Sequence, residues 1–232
     1  MEKLIQYIDH TLLKPEATQE DVDRVVKEAI DNDFYSVMIN PYWVSHVHNL
    51  LAATNVKTAT VIGFPLGANT TNIKVAEANQ AIEDGADEVD MVMNIGEFKG
   101  GNYQAVQEDI QSVVTAAHKR NTLIKVIIEN ALLTDDEIAK ASDIVANTGA
   151  DFVKTSTGFS TSGAKAHDVA IMKKAVGDRI KVKAAGGIHS AEDAESMIKA
   201  GASRLGTSAS LKINLTENPI TFKFSVYFKE RL

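Results

Sequence analysis

The chain reads Gly-Ala-Asp-Phe-Val-Lys-Thr-Ser-Thr-Gly at residues 149–158. A glycine follows a helical pattern, a short apolar run comes next, and small or hydroxylated residues end that run. Because glycine commonly ends a helix, this order predicts a helix followed by a strand. Gly-Ala pairs at residues 85–86 and 201–202 stand in the same context. The recurrence predicts a repeated helix and strand unit.

Short apolar runs rich in valine and isoleucine recur along the chain, with amphipathic segments between them. Their nearly continuous apolar character predicts strands covered on both faces, as in a parallel sheet. The predicted strands are residues 7–12, 36–40, 58–63, 88–94, 124–129, 152–155, 180–184 and 203–206. The predicted helices are residues 18–32, 70–84, 103–120, 135–148 and 191–200, and Thr134 is the predicted N-cap of the fourth.

Eight such strands with helices between them predict an α/β fold, a single (β/α)8 TIM barrel, within 232 residues. An open doubly wound sheet is disfavoured because no Gly-x-Gly-x-x-Gly motif follows the first strand. Residues 1–211 are assigned to the barrel, and residues 212–232 form an atypical C-terminal segment of the same domain after strand eight. In that segment Asn218 and Pro219 disfavour a helix, and alternating apolar residues at 222–228 suit a strand.

The composition narrows the classes of function. With 44% hydrophobic residues the chain can bury a large core, and a net charge of −7 argues against a broad nucleic-acid-binding surface. The chain contains no cysteine, which excludes disulfides, thiolate catalysis and cysteine-ligated zinc. Neither a secretory leader nor a membrane-spanning segment is evident, so we expect a cytoplasmic protein without nucleic-acid or membrane partners.

Two lysines interrupt predicted strands. Lys154 follows Phe-Val in strand six, and Lys183 stands in Lys-Val-Lys-Ala-Ala-Gly-Gly of strand seven. Burial and a second ammonium nearby both disfavour a charged lysine, which leaves a neutral amine able to form a Schiff base with a carbonyl compound. The alternative is that each lysine lies on the outer face with its head in water.

Other polar residues accompany the lysines at the same end of the predicted barrel. Asp90 lies within the apolar fourth strand, either as a buried partner of a lysine or as a proton-transfer carboxylate, and Asp9 and Lys125 are weaker candidates of the same kind. Glycines that follow strands six to eight offer unhindered backbone N–H groups to an oxyanion. These signals are Gly158, Gly186 with Gly187, and Gly206 followed by Thr207 and Ser208.

Several motifs together resemble the deoxyribose-phosphate aldolase family. They are Tyr-Ile-Asp-His-Thr-Leu-Leu-Lys at residues 7–14, Asn-Pro-Tyr-Trp-Val at 40–44, Val-Ile-Gly-Phe-Pro at 61–65, Glu-Val-Asp-Met-Val-Met-Asn at 88–94, Lys-Thr-Ser-Thr-Gly-Phe at 154–159, Lys-Ala-Ala-Gly-Gly at 183–187 and Gly-Thr-Ser at 206–208. The resemblance covers roughly residues 5–211. It implies a class I aldolase that reversibly cleaves 2-deoxy-D-ribose 5-phosphate to acetaldehyde and D-glyceraldehyde 3-phosphate in deoxyribonucleoside catabolism.

The resemblance also implies roles for individual residues. Lys154 would be the Schiff-base lysine, Lys183 the ammonium that lowers its pKa, and Asp90 the proton-transfer carboxylate. The phosphate site would be Gly158, Gly186, Gly187, Gly206 and Ser208, and Thr157 and Thr11 would contact substrate hydroxyls. Neither a metal nor an organic cofactor is expected, the partners are small sugar phosphates and aldehydes, and relatives imply a homodimer or a higher homo-oligomer.

The chain departs from the family pattern at three places. Met38 replaces a frequent cysteine, His189 stands where many relatives have arginine, and the final helix pattern is lost near Lys212. Two alternatives therefore stay open. One is another Schiff-base aldolase or transaldolase with a different donor, which the size of the pocket around Phe64, Thr157 and Ala184 would discriminate. The other is a catalytically silent sugar-phosphate-binding barrel.

Overall fold

The computed structural model of the chain describes residues 4–217. Its strands are β1 (Ile8–Leu12), β2 (Ser36–Ile39), β3 (Lys57–Ile62), β4 (Glu88–Val92), β5 (Leu123–Ile127), β6 (Phe152–Lys154), β7 (Lys181–Ala185) and β8 (Arg204–Thr207). All pairs are parallel and follow chain order around a closed barrel, in which β8 pairs with β1. The prediction of a (β/α)8 barrel is confirmed.

Helices lie between the strands along the chain, and one more follows β8. They are α1 (Gln19–Asp31), α2 (Val44–Leu51), α3 (Thr71–Glu83), α4 (Ile95–Lys99), α5 (Tyr103–His118), α6 (Asp135–Asn147), α7 (Ala166–Val176), α8 (Ala191–Lys199) and α9 (Ser210–Glu217). Within residues 4–217, every predicted strand and helix is present, with its ends displaced by at most two residues. Helices α2, α4, α7 and α9 were not predicted, and α9 forms although the final helix pattern was expected to be lost near Lys212. Both α2 and α7 begin without a side-chain capping hydrogen bond, which removes the usual start signal.

Helix starts at the predicted positions are defined by their caps. The hydroxyl of Thr134 accepts a hydrogen bond from the backbone N–H of Glu137, and the Glu137 carboxylate accepts one from the N–H of Thr134. The same reciprocal capping box begins α1 at Thr18 and α8 at Ser190. Each box satisfies N–H groups that the helix itself leaves unpaired, so the sequence determines where these helices start.

Alternate residues on the strands face opposite sides of the barrel wall. Val89 and Met91 on β4 belong to the large hydrophobic core, whereas Asp90 between them bonds to lysines across the barrel. On β7, Val182 and Ala184 belong to the same core on either side of Lys183. The apolar set packs the barrel against its helices, and the charged set is enclosed within the barrel.

Two predictions concern the end of the chain. Helix α9 continues across position 211, and the division of the domain at that position stays a prediction. The strand predicted at residues 222–228 lies outside the described residues. Within residues 4–217, no helix has both the length and the apolar character of a membrane span.

Candidate active site

Lys154 and Lys183 lie side by side on β6 and β7, where they are register partners. Both side chains point into the barrel, because each Nζ lies 2.8 Å from Oδ2 of Asp90 on β4. The two lysine side chains are 3% and 0% exposed. The alternative that they lie on the outer face with their heads in water is therefore wrong.

Asp90 is fully buried and is shared by three lysines. In addition to Lys154 and Lys183, Lys125 on β5 donates a hydrogen bond of 2.8 Å to its Oδ1. Burial opposes the ionisation of Asp90, but the three ammonium groups outweigh burial and hold its pKa well below the ordinary value. Asp90 is thus an anion that organises the amines around it.

Asp9 on β1 is a second buried carboxylate beside Lys183. It accepts hydrogen bonds from the Nζ of Lys183, from the hydroxyl of Ser36 at 2.7 Å and from Nη1 of Arg204 at 2.9 Å. Burial again opposes ionisation, and the positive charges of Lys183 and Arg204 keep the pKa of Asp9 far below its ordinary value. Lys183 therefore lies between two carboxylates.

Glu88 and Arg204 join these groups into a closed circuit. Nη1 of Arg204 lies 2.9 Å from Oε2 of Glu88 as well as from Asp9, and Nζ of Lys125 lies 2.6 Å from the same Glu88 oxygen. The guanidinium also packs over the ring of Tyr35 at 3.5 Å from its centroid. We call the connected set the charged circuit, and its members are Asp9, Glu88, Asp90, Lys125, Lys154, Lys183 and Arg204.

The charge balance of the circuit favours a neutral Lys154. The circuit contains three carboxylates, and three basic groups other than Lys154 are enough to balance them. Burial lowers the pKa of Lys154 to about 8, and the positive charge of Lys183 acts in the same direction while Asp90 opposes both. A buried amine that is partly neutral near pH 7 is a nucleophile for carbonyl compounds.

Lys154 also lines an open cleft of about 490 Å³ at the carboxyl ends of the strands. The residues predicted to contact a phosphate group or substrate hydroxyls all line this cleft. Its lining includes Thr11, Thr157, Gly158, Gly186, Gly187, Gly206 and Ser208, all of which the sequence singled out. The remaining predicted residues, Asp9, Asp90, Lys125 and Lys183, lie buried in the charged circuit.

The glycines of the cleft are required for two different physical reasons. Gly158, Gly186 and Gly187 have φ angles of +87°, +79° and +73°, a conformation that other residues adopt with strain. Gly206 instead provides space, since a Cβ at this position would lie 3.2 Å from Cε of Lys183. The loops after β6 and β7 thus owe their shape to glycine, and β8 leaves room for the lysine stem.

Thr157 and Thr11 already use their hydroxyl groups within the protein. The hydroxyl of Thr157 donates to Oε2 of Glu129 and accepts from the backbone N–H of Phe159 at 3.0 Å. The hydroxyl of Thr11 donates to the carbonyl oxygen of Asp9 at 2.8 Å. The hydroxyl of Thr157 therefore shapes the loop that carries Gly158, and its predicted contact with a substrate stays a prediction.

Sequence reasoning missed Glu88, Arg204 and Glu129. Glu88 and Arg204 begin their strands beside the polar residues Asp87 and Ser203, so they read as strand ends at the surface. Glu129 has φ +56° just after β5, and its contact with Thr157 joins segments far apart in sequence. Glu88 and Arg204 could have been found from strand alternation, because they stand at positions that face the same side of the barrel wall as Asp90 and Lys154.

Two of the three departures from the family pattern lie near the cleft or behind it. Met38 is buried in a small apolar cluster with Leu13 and Val61, and His189 is exposed at the rim of the cleft. Among residues 4–217, no group of three or more histidine, cysteine, aspartate or glutamate side chains is arranged to hold a metal ion.

The chain is a barrel enzyme. Its closed (β/α)8 barrel encloses a charged circuit with a buried amine, and that amine also lines an open cleft. The chain belongs to the DeoC/LacD family of aldolases, whose family profile matches residues 3–212. The resemblance found in the sequence is confirmed, and the matched range ends where the sequence departs from the family pattern.

Relatives of known name and structure agree with this assignment. The chain is 67% identical over 211 residues to the deoxyribose-phosphate aldolase of Lactiplantibacillus plantarum, with 91% of this chain and 98% of that protein covered. The solved aldolase QR15 has a TM-score of 0.90 at 39% identity, covering 95% of this chain and 99% of the other. A deoxyribose phosphate aldolase from Aeropyrum pernix, described as having a unique tetrameric structure, has a TM-score of 0.86 at 35% identity, covering 94% of this chain and 92% of the other.

Proposed function

We propose that the chain is a class I aldolase that reversibly cleaves 2-deoxy-D-ribose 5-phosphate to D-glyceraldehyde 3-phosphate and acetaldehyde through a Schiff base on Lys154. The observation that carries the proposal is the position of Lys154, which joins the charged circuit and also lines the cleft. The names of the relatives in Lactiplantibacillus plantarum and Aeropyrum pernix support the choice of substrate.

The reaction begins with the neutral amine of Lys154. It attacks C1 of the open-chain sugar aldehyde, and the resulting carbinolamine loses water to give a protonated imine. With a pKa of about 8, roughly a tenth of the amine is neutral at pH 7. Lys183 serves as the neighbouring ammonium that favours this neutral form, and Asp90 holds both nitrogens in place.

The protonated imine then accepts the electrons of the breaking carbon–carbon bond. The bond between C2 and C3 of the sugar breaks as the C3 hydroxyl loses its proton, and D-glyceraldehyde 3-phosphate leaves with C3 to C5. The first two carbons remain on Lys154 as an enamine. The imine nitrogen thus acts as the electron sink, so this scheme requires no metal or organic cofactor.

A proton must return to C2 of the enamine before the product can leave. We assign its transfer to Asp90 through water, with the lysines of the circuit as neighbours. Because ammonium groups keep the pKa of Asp90 low, the carboxylate passes a proton on rather than storing it. Water then adds to the imine, acetaldehyde leaves, and Lys154 is regenerated with the water balance restored.

The phosphate group is assigned to the loops after β6, β7 and β8. Gly186 and Gly187 precede α8, and Gly206 and Ser208 precede α9, so backbone N–H groups and a hydroxyl line this part of the cleft. Such groups bind anions without a net positive charge. The residues stand on the same cleft as Lys154, which fits a substrate with its aldehyde and phosphate at opposite ends.

The wider setting of the enzyme belongs to the same proposal. We assign it to deoxyribonucleoside catabolism in the cytoplasm, acting on small sugar phosphates and aldehydes as a homo-oligomer. The tetrameric description of the Aeropyrum pernix aldolase supports an assembly of copies, although its number of subunits applies to that protein.

Product analysis tests the proposed reaction. The protein is incubated with 2-deoxy-D-ribose 5-phosphate, and both acetaldehyde and D-glyceraldehyde 3-phosphate are quantified for wild type, Lys154→Leu and the surface control Lys27→Leu. We expect equal amounts of the two products from wild type and Lys27→Leu and none from Lys154→Leu. Binding of the sugar phosphate without cleavage would identify a silent binder, and cleavage only of a substrate with another donor would identify a related aldolase; either result overturns the proposal.

A further inference from the structure

His10 is a buried histidine that the proposed mechanism does not use. It lies on β1 between Asp9 and Thr11, but its ring faces the helices, where it packs against Phe34 with ring centroids 5.2 Å apart. It is 2% exposed and is the register partner of Thr207 on β8. A polar ring in this position requires partners on both nitrogens.

Both nitrogens of His10 have side-chain partners from different elements. Nε2 lies 2.8 Å from Oε2 of Glu28 on α1, and Nδ1 lies 2.9 Å from Oγ of Ser210, the first residue of α9. A carboxylate accepts hydrogen bonds, so the proton of a neutral ring belongs on Nε2 and the hydroxyl of Ser210 donates to Nδ1. Burial lowers the pKa of His10, which agrees with a neutral ring.

The contacts continue from Ser210 into the cleft. The single hydroxyl proton of Ser210 is shared between Nδ1 of His10 and the more distant carbonyl oxygen of Thr207, 3.2 Å from Oγ. The hydroxyl of Thr207 in turn donates to the carbonyl oxygen of Ile188 at 2.8 Å. Thr207 ends β8, Ile188 lies in the loop after β7, and both line the cleft. A continuous series of polar contacts thus runs from α1 through His10 to the end of β8 and the loop after β7.

We propose that Glu28, His10 and Ser210 form a brace that holds the loops after β7 and β8 in the shape that receives a phosphate group. His10 is then a positioning residue that determines the preference for a phosphorylated over an unphosphorylated sugar. This inference rests on the proposed function, because it assigns a cause to the substrate preference of that same site.

Two substitutions of His10 separate the two ends of the brace. The amide of asparagine reaches about as far as Nδ1, and that of glutamine about as far as Nε2. Accordingly, His10→Asn keeps a partner for Ser210, and His10→Gln keeps a partner for Glu28. Ser210→Ala removes the same contact without touching the ring. The measured quantity is the ratio of kcat/KM for 2-deoxyribose 5-phosphate to kcat/KM for 2-deoxyribose.

We expect the ratio to fall by about three- to tenfold in His10→Gln and in Ser210→Ala, the effect of losing one hydrogen bond, and chiefly through the KM of the phosphorylated sugar. His10→Asn, which keeps the contact with Ser210 and loses only the anchor on Glu28, is expected to lower the ratio by less than His10→Gln does. An equal loss with both sugars in the folded variants would show a merely structural role and overturn the brace. If neither His10 variant folds, the ratio in Ser210→Ala decides the matter.

The failure of the proposed function would look different. Wild-type protein that cleaves neither sugar removes the proposed function and the brace with it. If wild-type protein cleaves 2-deoxyribose 5-phosphate and the ratio of kcat/KM values is unchanged in Ser210→Ala, the brace alone is wrong.

Discussion

Lys154 is an amine whose immediate neighbours decide its reactivity. Burial and the positive charge of Lys183 together lower its pKa to about 8, and Asp90 limits the shift while fixing the position of Nζ. The same carboxylate therefore orients the amine and restrains its loss of charge. A pKa between these two influences suits the reaction, because an amine must be neutral to attack a carbonyl, whereas the imine that follows must carry a proton.

The pH dependence of imine formation tests the influence of Lys183. The fraction of neutral amine rises as the pH rises through the pKa of Lys154, so we expect the rate with acetaldehyde to increase with a midpoint near pH 8. Lys183→Met removes a nearby positive charge, which raises the pKa of Lys154 and moves the midpoint upward by about one unit. Lys181→Met, at the exposed first position of the same strand, is the control and should leave the curve unchanged. A midpoint in Lys183→Met equal to or below that of wild type would contradict the assigned role.

Replacement of Asp90 tests the energetic importance of the shared carboxylate. Asp90→Asn leaves three buried ammonium groups without their common anion, and we expect the free energy of unfolding at pH 7 to fall by about 3–5 kcal/mol. Because the folded state lowers the pKa of Asp90, its stabilisation is present above the unfolded pKa near 4 and is lost as the pH falls through the folded value.

Denaturant unfolding from pH 3 to 8 measures this effect. The difference between wild type and Asp90→Asn should be largest at neutral pH and shrink on acidification. Asp31→Asn, which breaks the exposed pair with Lys27, is the control and should behave like wild type. A loss for Asp90→Asn no larger than for the control would show that the buried pairs contribute little.

The strands distribute the charged circuit in a regular way. Asp9 on β1, Asp90 on β4, Lys154 on β6 and Lys183 on β7 supply its upper part, while the first residues of β4 and β8, Glu88 and Arg204, complete it from below. Because successive side chains of a strand point to opposite faces, each charged side chain faces the barrel interior and its apolar neighbour faces the helices. Remote strand residues can therefore influence Lys154 through charge alone.

Arg204 provides the test of this influence, since it has no place in the cleft lining. Arg204→Met leaves three lysines against three carboxylates, so the balance then requires the charge of Lys154. We expect the pH midpoint of imine formation to move upward in Arg204→Met and to stay near the wild-type value in Arg204→Lys, which keeps the charge. The pH series with acetaldehyde measures both. An unchanged midpoint in a folded Arg204→Met protein would separate Arg204 from the chemistry.

The barrel could be predicted because every level of the sequence agrees with it. Apolar strands, capping residues such as Thr134 and helix-ending glycines all indicate the same alternation, and a charge inside an apolar run marked Lys154 and Asp90. The circuit as a whole could not be predicted, because the contact of Arg204 with Glu88 depends on the closure of the barrel. The role of His10 as a link between α1 and α9 likewise depends on tertiary contacts.

Removal of residues 218–232 tests whether the described part of the molecule is sufficient for imine formation. All members of the charged circuit and the cleft lie between residues 9 and 208, and the family match ends at residue 212. We expect a protein of residues 1–217 to form the acetaldehyde imine and to unfold at the same temperature as the full chain. Loss of the imine in a folded, truncated protein would assign the final residues a part in the site.

The most direct test of the central claim is chemical capture of the imine. The protein is incubated with acetaldehyde and borohydride, and peptide mapping by mass spectrometry locates the reduced two-carbon adduct in wild type and in Lys154→Leu. We predict one adduct, on Lys154, that is absent from the variant. No adduct on the folded wild-type protein, or an adduct on Lys183 alone, would contradict the assignment of Lys154 as the nucleophile.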